Sequence, residues 1–202
     1  MKSFWTEQRS FLIPFLCIWV MYASYQLFHS QTDMLIHINA HWSPLGDAVF
    51  PFITYWGDGW FSMGIGLLML LFSVRPGLCV ILSYASSGIF AQLLKKFIFT
   101  DFYRPPKVLA SVLPSLHQVS GVALHEFGSF PSGHTTSAFA LFATLAFSSK
   151  SNLVKPFLLL PPILVAYSRM YLLAHFPEDV LAGAMIGVVF SVLTWCLIFK
   201  KK

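Results

Sequence analysis

Apolar residues along this chain come in long runs, separated by short stretches where charge, proline and glycine gather. Six such runs stand out, at about 11–29, 58–74, 78–99, 134–149, 154–174 and 178–199. A helix crossing a hydrocarbon core needs about 20 apolar residues, and fewer where its ends are buried in protein. The pattern therefore predicts an all-α, polytopic membrane protein with six transmembrane helices. Between the first two runs lies TDMLIHINAHWSPLGDAVFPFITYWGDG, amphipathic and aromatic, expected to lie along the membrane interface. Between the third and fourth lies a polar, proline-containing loop, Thr100 to Pro131. Lys2 and Arg9 before the first run imitate a signal peptide. The run continues without a small-residue cleavage site, so an uncleaved first helix is expected.

Composition points the same way. Only 10% of residues are charged and 56% are hydrophobic, against roughly a quarter charged in soluble domains. A single integral membrane domain over 1–202 follows, with the lipid bilayer as its partner. The formal charge of +5 comes without a long basic tract, which argues against nucleic acid. No obligate protein partner and no cofactor are indicated. Cys17, Cys79 and Cys196 are widely spaced inside apolar runs, a poor disulfide framework.

Six helices put both termini and the loops near Arg75 and Lys150 on one side. That side holds Lys2, Arg9, Arg75, Lys150, Lys155, Lys200, Lys201 and Lys202, eight basic residues against five on the other. The positive-inside rule counts Lys and Arg alone, so the termini are expected in the cytoplasm. All seven histidines then fall on or near the outer side.

Ionisable residues beside apolar runs mark candidate chemistry. In SRMYLLAHFPEDVLAG, Arg169 ends the fifth helix and His175 follows it. Pro177 suits a first helical turn, where its missing N–H would be unpaired anyway. Asp179, four residues after His175, can reach back to one imidazole nitrogen, fix the tautomer and leave the other lone pair free. Such a histidine is a candidate nucleophile or base; the plain alternative is an interfacial histidine beside a solvated acid.

In FPSGHTTSAF, Pro131, Ser132 and Gly133 precede an apolar helix whose free N–H groups and dipole attract anions. His134 adds a proton donor there; the plain alternative is a helix cap. In KKFIFTDFYRPP, Lys95 or Lys96 ends the third helix and Arg104 follows, though such cations also serve as headgroup anchors. All three clusters fall on one side. Cations, N–H donors and two histidines together describe a site for a phosphoryl group. A metal site is the competing reading, but His134 and His175 lack the third ligand of catalytic zinc, and the cations would repel a metal ion.

These residues resemble the type 2 phosphatidic acid phosphatase superfamily, which includes membrane lipid phosphatases and the soluble vanadium haloperoxidases. The resemblance rests on Ser168-Arg169-x5-His175-x3-Asp179, on Pro131-Ser132-Gly133-His134, and on Lys96 with Arg104-Pro105. The motif-bearing core spans about 95–187. The resemblance implies that His175 attacks phosphorus with Asp179 orienting it. His134 would protonate the departing oxygen and then activate water. Lys96, Arg104, Arg169, Ser132 and Gly133 would hold the phosphoryl oxygens, with no metal. Seven residues separate Lys96 from Arg104, one more than the family spacing, and Lys95 lies one further off. The smaller offset favours Lys96.

The resemblance implies a lipid phosphatase acting on a phosphate monoester or pyrophosphate of lipid A, prenyl pyrophosphate or phosphatidylglycerophosphate type. The compact chain fits a bacterial inner membrane, with an extracytoplasmic site. A lipid phosphotransferase using the same site, and a transporter or anion-binding protein without turnover, are the alternatives. The two histidines argue against the last, since binding alone would need only the cations.

Overall fold

A computed structural model describes residues 4–199; the expectations for Lys2 and Lys200 to Lys202 lie outside them. The described residues form helices and loops and no strand. Helix α1 is Phe4–Gln26, α2 Gln31–Ala40 and α3 Pro44–Ile53, with a 3₁₀ turn at Thr54–Gly57. Helix α4 is Gly59–Phe72 and α5 Val74–Phe97. The short α6 is Pro105–Val108, and α7 is Gly133–Ser148. Then come the one-turn α8 Val154–Phe157, α9 Leu160–Tyr171 and α10 Pro177–Ile198.

Each of the six apolar runs thus carries a helix, but their lengths differ. Among the described residues, only α5 and α10 are individually long and apolar enough to cross a membrane; α1 qualifies only together with α2, and the two are bent by 107°. Helix α4, with 14 residues, is about 21 Å long at about 1.5 Å per residue, short of the roughly 30 Å hydrocarbon core. The fifth run breaks between α8 and α9 because Pro161 and Pro162 have no N–H to donate to the preceding turn.

Helix α7 forms the hub, packing against α5, α9 and α10. It is apolar or small on every side and buries twelve residues, as a central helix should. Its contact with α10 is close: a Cβ on Gly187 would lie 2.5 Å from the carbonyl of Thr136. Small residues at such crossings let helices gain dispersion contacts that lipid cannot supply. Ser191 fastens the same crossing by donating to the Ala140 carbonyl at 2.8 Å. Outward positions such as Met21, Leu71, Phe72 and Leu197 are exposed, which suits a surface facing lipid tails.

The two ends of the bundle differ. At one end Lys155 is buried and donates to the Glu7 carbonyl and Gln8 Oε1, tying α8 to the start of α1. This places the Arg9 and Lys150 regions at the same end, as the charge pattern expects. At the other end, α2, α3 and the 3₁₀ turn fold over α7 and α9. Asn39 and His117 exchange hydrogen bonds at 2.8 and 3.0 Å, and His117 Nε2 lies 2.9 Å from Asp47, so the 100–131 loop is tied to this covering segment.

Candidate active site

The site begins where α9 stops. Leu172 ends the helix and Leu173 turns left-handed at φ 53°. The N–H groups of Ala174 and His175 then both donate to the Arg169 carbonyl. This turn brings His175 back beside Arg169, with Leu173 anchored in a buried apolar cluster. Phe176 and Pro177 start α10, and Asp179 in its first turn reaches back across them. Asp179 Oδ2 lies 3.1 Å from His175 Nδ1 and accepts from the Phe176 N–H at 2.9 Å. Both side chains are 1% exposed. With Nδ1 held by the acid, Nε2 carries the free lone pair.

A third donor reaches the same oxygen. Ser129, in the loop before α7, donates from Oγ to Asp179 Oδ2 at 2.5 Å. Three residues later the Ser132 N–H donates to the Asp179 carbonyl at 2.9 Å. Ser132 Oγ accepts from the N–H and hydroxyl of Thr135 and so caps α7. With the Ser132 N–H already engaged, the N–H groups of Gly133 and His134 are the ones left free at this helix start. A Cβ on Gly133 would meet nothing within 4 Å, so open space adjoins these donors.

Cations face the histidines. Arg169, Arg104 and Lys95, and the imidazole of His134, all act electrostatically on His175. Burial, reinforced by those cations, holds His175 well below the ordinary histidine range, so it is neutral with its lone pair available. Arg169 is gripped by Thr54, whose Oγ1 accepts from Nη1 at 2.8 Å, while its buried Nε has no partner. Arg104 is held through its N–H and Nε by the carbonyls of Glu126 and Phe127.

The structure separates the two lysines. Lys95, not Lys96, turns inward, and its Nζ donates to the Gly128 carbonyl at 2.9 Å. Lys96 is exposed, its ammonium 5.6 Å from the Phe97 ring. The physical reason is helical phase: Val80, Ser83, Ser87 and Ala91 form the buried stripe of α5, and Lys95 continues it. One residue further turns by about 100°, onto the face of the exposed Ile89 and Gln92. The small and polar residues of that stripe were the available signal, since such residues face other helices rather than lipid. Thr54 and Ser129 carried no comparable signal, because each meets its partner only through tertiary folding.

Two histidines, one carboxylate and three cations thus converge from four separate segments. The sequence profile of the PAP2 superfamily matches residues 76–202. The chain belongs to the PAP2 superfamily. It is 29% identical over 164 residues to a lipid A 4'-phosphatase of Bacteroides thetaiotaomicron, covering 78% of this chain and 72% of that one. The crystal structure of Aquifex aeolicus LpxE superposes with TM-score 0.69 at 27% identity, over 81% of this chain and 93% of that one. A transmembrane PAP2-type phosphatidylglycerolphosphate phosphatase from Bacillus subtilis superposes with TM-score 0.71, over 94% of this chain and 96% of that one. At 20% identity the last likeness concerns the fold alone. These relatives support an integral membrane protein of the PAP2 lipid-phosphatase type.

Proposed function

We propose that this chain hydrolyses a phosphate ester on a membrane lipid through a phosphohistidine at His175. The observation that carries the reading is the buried His175–Asp179 pair facing Lys95, Arg104 and Arg169. His175 Nε2 attacks phosphorus, and the bond from phosphorus to the lipid oxygen breaks. His134 delivers a proton to that oxygen, and the lipid alcohol leaves. His134 then takes a proton from water, whose oxygen bonds to phosphorus as the P–Nε2 bond breaks, restoring neutral His175 and releasing inorganic phosphate. The three cations and the N–H groups of Gly133 and His134 stabilise the phosphoryl oxygens as charge redistributes. The negative charge of the arriving phosphate favours the protonated form of His134. No metal takes part, because the groups around the phosphoryl position are cationic.

The preferred substrate class is a lipid A type phosphate monoester, supported by the lipid A 4'-phosphatase relative. The site faces the extracytoplasmic side of a bacterial inner membrane, with cytoplasmic termini, as the charge pattern supports. Phosphate release from purified protein tests the reading, using lipid A, undecaprenyl pyrophosphate and phosphatidylglycerophosphate in parallel. Turnover of at least one in EDTA, fastest with lipid A, is expected. No release from any of them, or loss on chelation restored by Zn²⁺ or Mg²⁺, would overturn it.

A further inference from the structure

Of the three donors to Asp179 Oδ2, two come from its own helix entry: the His175 imidazole and the Phe176 N–H. These move with α10. Ser129 comes from outside that turn, 50 residues earlier in the chain, and is itself 1% exposed. Its backbone is pinned as well, since its N–H donates to the Phe102 carbonyl at 3.0 Å. The residues just before it hold the cations: Arg104 Nε on the Phe127 carbonyl and Lys95 Nζ on the Gly128 carbonyl. Segment 126–129 therefore fixes the acid and two cations of the site relative to one another.

We infer that Ser129 is a positioning residue for the His175–Asp179 pair. This rests on His175 being the nucleophile. A carboxylate held only by its own helix turn can rotate about its side-chain bonds, and the imidazole would rotate with it. The hydroxyl of Ser129 holds the same carboxylate oxygen from outside that turn, which aims His175 Nε2 at the phosphoryl position. The Ser129 hydroxyl is buried and committed to Asp179 Oδ2, so its effect passes through Asp179. It should therefore appear in the chemical step and not in phosphate binding.

Purified protein with a turned-over lipid phosphate tests this, with kcat, KM and the inhibition constant of orthophosphate as readouts. Ser129→Ala should lower kcat about tenfold, the scale of one hydrogen bond to a charged group. KM and the orthophosphate constant should stay within about twofold, because the cation cradle is intact. Ser129→Cys fills nearly the same space with a weak donor and should match Ser129→Ala, which covers the case where the alanine variant does not fold. Ser129→Thr keeps the hydroxyl and should recover kcat to within about threefold of wild type. Orthophosphate binding weakened as much as kcat, or a threonine variant as slow as the cysteine one, would make the role structural and overturn the inference. So would wild-type kcat in Ser129→Cys. An inactive wild-type protein would instead count against the phosphatase reading itself.

Discussion

Lys95 reaches past the last turn of its helix to the carbonyl of Gly128, with Nζ 2.9 Å from the oxygen, while its neighbour Lys96 points away into an exposed position. One carbonyl leaves the other ammonium protons free for phosphoryl oxygens. A charge-assisted hydrogen bond of that kind contributes about 1.5–3 kcal/mol, and about 1.4 kcal/mol corresponds to a factor of ten. Lys95→Ala should therefore lower kcat/KM about ten- to a hundredfold, and Lys96→Ala less than about threefold. Steady-state kinetics on the two variants decide this, and the reverse order would return the role to Lys96.

The histidines should separate by leaving group. His175→Ala is expected to form no covalent phosphoenzyme with any substrate. His134→Ala should be partly rescued by an ester with a good leaving group, whose departure needs little proton donation. Rapid quench without acid, using labelled substrate, would detect an alkali-stable, acid-labile phosphoenzyme. Its accumulation in His175→Ala would refute the assignment.

Thr54 ties the covering segment to the site through Arg169 Nη1, leaving the buried Nε unpartnered. Thr54→Val keeps the shape and removes the acceptor. The donor is a charged guanidinium, so this hydrogen bond contributes about 1.5–3 kcal/mol, and kcat/KM should fall about ten- to a hundredfold. An unaltered kcat/KM would show that Arg169 is held without Thr54.

His175 also predicts a pH effect on stability. Folded, it resists protonation because it is buried among cations; unfolded, it titrates near about 6.5. Below that pH the unfolded chain binds a proton that the folded chain refuses. The contribution of His175 to stability should therefore be flat above about pH 6.5 and fall below it, by at most about 1.4 kcal/mol per pH unit. Melting temperatures of the detergent-solubilised protein between pH 5 and 8 check this against His175→Gln, whose acid-side fall should be shallower. Parallel curves would remove His175 as a source.

Sidedness follows from the two ends of the bundle. In a background with Cys17, Cys79 and Cys196 replaced, Gln118→Cys should react with an impermeant reagent in intact cells, and Asn152→Cys should not. Ser10 donates to Asn152 Oδ1 at 3.1 Å, so a label there reports the end where α1 begins. The opposite labelling would move the site to the cytoplasm.

Local rules of chain geometry made much of this protein readable before any folding. The six apolar runs placed α1, α4, α5, α7, α9 and α10, since hydropathy follows from each residue's own transfer free energy. The His175 and Asp179 spacing put the acid within reach of one imidazole nitrogen, because four residues across a helix start bring two groups close, and the structure identifies that nitrogen as Nδ1. At the start of α7, Ser132 takes the plain alternative to its expected phosphate contact, a cap legible in the sequence because it acts within three residues.

Helix phase lay between the two regimes. Lys95 and Lys96 are indistinguishable by spacing alone, and the buried stripe of α5 decides between them. Tertiary structure alone decided the rest. Ser129 meets Asp179 across 50 residues and Thr54 meets Arg169 across 115. No periodicity encodes those pairs: α7 must first seat against α10, and the 3₁₀ turn against α9, before a hydroxyl and its charged partner face each other. The polarity of a residue is carried by its own side chain, but which partner satisfies it depends on where the packed helices leave room.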